Sequence, residues 1–136
     1  MKRIFAFIFL TFALACFGCA TSPTLSDLKS SPEGVVHFKI ERNYESAYQI
    51  AISKMREKYE VVFFGGSQMK VFGDLYHDSQ TGKIIVLINN PYAKKSYLLY
   101  VEIKSLSSDT CIVNISYSLK SLKKDADELR DSIIHS

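Results

Sequence analysis

The sequence predicts an α+β fold: an antiparallel sheet of five to six strands packed on two helices, in two layers, with the order β-α-β-β-β-β-β-α. Three observations predict it. Apolar residues recur at three- and four-residue spacing over residues 44–59 and again over 122–133, the period of an amphipathic helix. Short runs of alternating apolar and polar side chains lie before and between these stretches, the period of a half-buried strand. Turn residues separate the runs by a few positions, too few for the crossovers that parallel strands need, so neighbours pair antiparallel. Helices gathered on one face of such a sheet complete a two-layer sandwich.

The elements follow in order. Residues 20–34, ATSPTLSDLKSSPEG, are rich in Ser, Thr and Pro and read as a flexible tether. Residues 35–40 alternate Val36, Phe38 and Ile40 against Val35, His37 and Lys39. Asn43 offers its side-chain oxygen as an N-cap, and Glu45 sits in the first turn, where the helix dipole favours an anion. Tyr44, Ala47, Tyr48, Ala51, Met55 and Tyr59 then form one apolar stripe. A short strand at 61–64 ends on Gly65-Gly66, a hairpin signal. Residues 69–76 alternate, and Asp78 to Gly82 turn the chain. Residues 83–89 contain the run IIVLI, apolar on both faces, which suits a strand covered on both sides. Residues 97–104 and 111–118 alternate again around a turn at Ser107 to Thr110. Leu122, Ala126, Leu129 and Ile133 mark the closing helix, although Lys123 and Lys124 sit poorly at its positive end.

Ahead of this domain, Lys2 and Arg3 precede an apolar run from Ile4 to Ala15, and Gly18 directly precedes Cys19. That is the layout of a secretory signal peptide. The run is too short for a bilayer core of about 30 Å, which takes about 20 residues. With a cysteine at the cleavage point the segment resembles the lipobox of bacterial lipoproteins. The resemblance implies removal of residues 1–18, a diacylglycerol thioether on Cys19 and an acyl chain on its new amino group. Cys16, preceded by Ala13, Leu14 and Ala15, is the alternative acceptor. Ala20 stands where lipoproteins retained at the inner membrane usually carry Asp, which implies the outer membrane, facing the periplasm. The expected organisation is thus signal peptide 1–18, lipidated N-terminus and tether 19–34, and one domain over 35–136.

Charge and cysteine content narrow the function classes. Removing Lys2 and Arg3 lowers the formal net charge of +3 to +1, and no clustered basic patch points to nucleic acid. Of the three cysteines, Cys111 alone falls inside the domain, in phase with Val113, Ile115 and Tyr117, and reads as a buried thiol packed as a small hydrophobe. No phosphate-binding glycine loop, nucleophile elbow or paired-carboxylate pattern occurs, so no catalytic residue is assigned.

Three groups of side chains remain as candidates. Asp74, His77 and Asp78 cluster in GDLYHD; Asp and His are legitimate metal ligands, but a third protein ligand at useful spacing is missing, and a solvated turn is the simpler account of them. Tyr92, Lys94, Lys95, Tyr97 and Tyr100 form a basic-aromatic stretch suited to a headgroup-facing patch or to an ordinary exposed hairpin loop. Phe63, Phe64, Phe72 and Tyr76 supply more aromatic surface than one sheet face needs, so either they fill the core or they line a cavity between the helix from Asn43 and the sheet.

The strand–helix–meander–helix order is similar to the helix-grip arrangement of the small lipoproteins of the outer-membrane barrel assembly machine. That resemblance covers residues 35–134 and rests on element order and lipid anchor. It implies a non-catalytic binding or assembly-accessory module, held at the membrane by its lipid and engaging an envelope protein, with no cofactor beyond the acyl chains. The alternative function is a carrier or sensor of a lipid or other hydrophobic small ligand.

Overall fold

The computed structural model describes residues 22–60 and 66–136. The expected signal peptide, Cys16, Cys19, Phe63, Phe64 and the expected strand at 61–64 lie outside the described residues. Within them the chain runs α1 (Leu25–Ser30), β1 (Gly34–Ile40), α2 (Tyr44–Tyr59), β2 (Gln68–Tyr76), β3 (Thr81–Asn89), β4 (Ser96–Ser107), β5 (Thr110–Tyr117), a 3-10 turn (Lys120–Leu122) and α3 (Lys123–His135). The five strands form one antiparallel sheet in the order β1-β5-β4-β3-β2. With α2 and α3 on one face this is the α+β, helix-grip-like sandwich that the periodicities predict.

The helix caps explain where α2 begins. Asn43 Oδ1 accepts from Glu45 N at 2.8 Å, and Asn43 Nδ2 donates to Ser108 O at 3.1 Å, tying the helix start to the β4–β5 turn. Register then fixes which side chains meet α2 and α3. Val36, Phe38 and Ile40 of β1 face Ile115, Val113 and Cys111 of β5, which continue across to Val101 and Ile103 of β4 and to Ile84 and Val86 of β3. These side chains pack with Tyr48, Ala51, Ile52 and Met55 of α2 and with Ala126, Leu129 and Ile133 of α3.

The space between α2 and the sheet is filled. A Cβ on Gly82 would lie 2.7 Å from Tyr48 Cδ2, and one on Gly73 would lie 2.3 Å from Ile52 Cδ1, so two glycines let the helix settle onto β2 and β3. At Gly73 and Gly82 this contact leaves no room for a ligand between α2 and the sheet.

One expectation about the N-terminal segment changes. Where the composition suggests a flexible tether, residues 25–30 form α1. Thr24 and Asp27 make a reciprocal capping box, Asp27 N to Thr24 Oγ1 at 3.1 Å and Thr24 N to Asp27 Oδ2 at 2.9 Å. These hydrogen bonds hold the Asp27 carboxyl below its ordinary pKa. Leu28 is only 1% exposed, packed on the face of the sheet opposite α2 and α3, over β4 and β5. Burial of that one leucine, with the cap, outweighs the low apolar content that a tether reading rests on.

Candidate functional site

Two surfaces have the composition of binding sites. The first is a groove of about 370 Å³ between α2 and α3. Its floor is Leu99, with Met55 and Leu129 on the walls and Lys54, Glu57 and Ser132 at the rim. A polar cluster closes one side: the Tyr59 hydroxyl donates to Asp125, while Lys58 Nζ reaches Asp125 Oδ1 at 2.9 Å and Glu128 Oε2 at 2.7 Å. Burial, then the Asp125 carboxylate, push the Tyr59 phenol far above its ordinary pKa, so it stays a donor. Burial also acts to raise Asp125, but the Tyr59 and Lys58 hydrogen bonds outweigh it and hold this carboxyl low. The cluster locks the two helices together and leaves an apolar slot with a charged mouth.

The second surface is the outer face of the sheet, which α1 covers only in part. The register aligns Phe72, Ile85, Tyr100, Ser116 and Val35 as successive cross-strand partners over all five strands. Phe72 is 50% and Val35 49% exposed, although an open antiparallel face is ordinarily polar. Lys29 of α1 lies 4.9 Å from the Tyr100 ring centroid and Lys83 lies 5.2 Å from that of Tyr76, within cation–π range. Burial, reinforced by Glu102, raises the Tyr100 phenol to about 12. A shallow depression of about 390 Å³ runs beside Lys29, Val35, Tyr100 and Glu102. Strand lysines on this face, Lys39, Lys70, Lys83 and Lys104, outnumber its strand carboxylates, Asp74 and Glu102.

The sequence-predicted residues fall as follows. Phe72 and Tyr76 lie on the outer face, because Val71, Gly73 and Leu75 take the alternate positions against α2; neither lines an interior cavity. Asp74 also points outward, opposite Lys83. His77 instead turns toward α2, with Nδ1 at 3.1 Å from Glu45 Oε1 and 3.4 Å from the Tyr44 hydroxyl. The GDLYHD residues are thus not brought together, and among the described residues no group of three or more His, Cys, Asp and Glu side chains could hold a metal ion. Cys111 is fully buried on the inner face, where burial pushes its thiol up. Tyr92, Lys94 and Lys95 occupy the exposed β3–β4 turn, while Tyr100 belongs to the outer-face row. Among the described residues no helix is long and apolar enough to cross a membrane.

Sequence reasoning missed the groove and α1. The groove depends on how far apart two helices sit, which periodicity does not encode. The α1 signal was present: Thr24-Leu-Ser-Asp27 followed by Leu28 is a capping box with its apolar anchor.

No family model matches the chain, and no curated protein matches it. Among solved structures it is similar to norcoclaurine synthase from Thalictrum flavum in complex with dopamine and hydroxybenzaldehyde. The two share 11% identity, the match covers 83% of this chain and 91% of that chain, and the TM-score is 0.39.

Proposed function

We propose that the chain is a lipid-anchored envelope protein whose domain acts by binding, engaging an acidic envelope protein through the outer face of its sheet. The observation that carries this reading is the cross-strand row Phe72, Ile85, Tyr100, Ser116 and Val35 on the outer face, whose two ends, Phe72 and Val35, are about half exposed, with Lys29, Lys39, Lys70, Lys83 and Lys104 on the same face. Apolar ends on a face where lysines outnumber the carboxylates Asp74 and Glu102 suit a partner that offers apolar side chains among carboxylates. Anchoring by Cys19, as the lipobox resemblance implies, raises the local concentration of partner so that modest affinity suffices. A non-catalytic role is supported by the buried, raised Cys111 thiol and by His77, whose imidazole pairs with a solvent-exposed Glu45 rather than with a second catalytic group.

The test is site-specific photo-cross-linking in the producing cells, with the probe at Phe72 and, as control, at the exposed Gln49 of α2. The expected result is one envelope protein captured from position 72 and not from 49. Phe72→Asp, with an unchanged circular dichroism spectrum, should then abolish co-purification of that protein. Equal capture from both positions, or undiminished co-purification with Phe72→Asp, would count decisively against the reading.

The groove between α2 and α3 favours a second reading, a carrier of a small amphipathic ligand seated on Leu99 with its polar end at Lys58 or Ser132. Native mass spectrometry separates the two. A bound mass lost on denaturation, and absent from Leu129→Trp, supports a carrier; a clean apo mass with partner capture at Phe72 supports the docking module.

A further inference from the structure

On the premise that Cys19 carries the lipid, we infer that the β3–β4 turn, residues 90–95, is a second, non-covalent membrane contact. It seats Tyr92 at the interface of a bilayer that bears anionic phospholipid headgroups, with Lys94 and Lys95 against the headgroup phosphates.

The first observation is where the chain leaves the domain. Pro23 O accepts from Tyr97 N at 3.1 Å, which pins the N-terminal segment at the start of β4, immediately after this turn. Ala20, Thr21 and Ser22 alone separate Cys19 from Pro23. Four residue steps reach at most about 14 Å. A lipid on Cys19 therefore holds this end of the sheet, and no other, against the bilayer surface.

The second observation is how the turn is built. Asn90 holds it from both sides: its Oδ1 accepts from Tyr92 N at 2.9 Å and its backbone carbonyl from Ala93 N at 3.3 Å, while Pro91 fixes its own φ. Tyr92 projects from this frame 91% exposed. Lys94 and Lys95 are exposed as well, and among the described residues neither has an ion-pair partner. A tyrosine with an apolar ring and a polar tip beside two lysines is the composition that favours a membrane–water interface. Each lysine close to an anionic surface strengthens attachment about fivefold.

The third observation is charge polarity along the strands. Ser118 N donates to Leu98 O, which brings the exposed Leu119 and the Lys120–Glu33 ion pair to the same end as the turn, leaving Lys94 and Lys95 as its uncompensated charge among the described residues. The opposite end, where β1 runs into α2 and β2–β3 and β4–β5 turn, carries four carboxylates, Glu41, Glu45, Asp78 and Asp109, against Arg42. The basic end is the one the anchor leaves from, and the acidic end points away from the anionic surface.

The experiment uses the full-length acylated protein, purified in detergent and reconstituted into vesicles of phosphatidylcholine and phosphatidylglycerol. The chain contains no tryptophan, so Tyr92→Trp installs a single reporter, with Leu106→Trp at the far end of β4 as control. The expected result is a blue-shifted emission at position 92, quenched several-fold more strongly by acyl-brominated phosphatidylcholine than emission at 106. Adding Lys94→Glu and Lys95→Glu should remove that difference. Equal, weak quenching at both positions on vesicles that still float with protein would overturn the turn's membrane contact and leave the anchor standing. Protein that lacks the acyl mass and fails to float would overturn the anchor, and this inference with it.

Discussion

Leu28→Ala separates the N-terminal segment from the domain without touching the core. Leu28 is almost fully buried but lies outside the cluster between the helices and the inner face. The substitution removes three carbons, worth about 2.4 kcal/mol at 0.8 kcal/mol for each buried methylene. A six-residue helix at the surface is free to relax, so little cavity penalty adds to that figure, and about 2 kcal/mol is the working value. So short a helix does not hold itself in water. The loss therefore falls on local undocking of residues 23–33 rather than on global unfolding. The Tyr97 amide reports it, because its partner is Pro23 O. About 2 kcal/mol corresponds to a roughly 30-fold faster exchange of that amide. The Val101 amide, in the centre of β4 with its side chain fully buried, should keep its protection. Hydrogen exchange read by NMR on both proteins is the assay. Unchanged protection at Tyr97 would show that Leu28 does not hold the segment; an equal fall at Val101 would show that α1 is part of the cooperative core. Undocking would also extend the chain between Cys19 and Gly34 to a span of up to about 50 Å, freeing the domain from any fixed orientation at a membrane.

Gly82→Ala should destabilise the domain by about 1–2 kcal/mol, since the new Cβ meets the root of the Tyr48 ring and the entropic gain of losing a glycine offsets only part of the overpacking. Gly73→Ala meets the tips of Ile52 and Tyr48 and should cost less; thermal unfolding midpoints rank the two. Tyr59→Phe should cost about 1 kcal/mol at pH 7 and less in acid. Asp125 titrates below its ordinary value in the folded state, so the stabilisation is complete above the unfolded carboxylate pKa of about 4 and vanishes as pH falls through the folded value. Urea midpoints measured against pH should therefore converge for the two proteins in acid, and parallel curves would refute the assignment. Cys19→Ser should abolish acylation and Cys16→Ser should leave it intact, read from the mass of the N-terminal peptide; the reverse pattern would move the anchor to Cys16.

The elements legible in the sequence are those in which one face is buried and the other is not. Residues 44–59 and the alternating runs of β1, β4 and β5 carry that contrast, and the structure places them as the periodicities require. The apolar run in β3 signalled cover on both sides, whereas on the outer face Ile85 stays partly exposed and α1 covers β4 and β5 instead. Composition averages over residues 20–34 and so dilutes the one leucine that matters. The candidate site was half legible for a related reason. Excess aromatic surface in β2 was visible, but alternation gives two faces without saying which one water sees. The glycines decide that: Gly73 and Gly82 admit α2 on one face, leaving Phe72 and Tyr76 on the other.

This division of the sheet has a consequence for how the domain could work at a membrane. The inner face is spent on the core, and α2 and α3 are locked by Tyr59, Lys58 and Asp125, with the narrow groove beside them. Among the described residues α1 is what lies on the outer face, over β4 and β5, and it leaves Phe72 and Val35 about half exposed. On a chain anchored through Cys19 and leaving beside the 90–95 turn, the strands would stand along the membrane normal and the row would run across them, parallel to the bilayer. A partner approaching laterally in the same membrane would then meet Phe72, Tyr76 and Val35 edge-on, with the flanking lysines set to guide its carboxylates. A soluble domain gains nothing from that alignment; an anchored one gains a partner search confined to two dimensions.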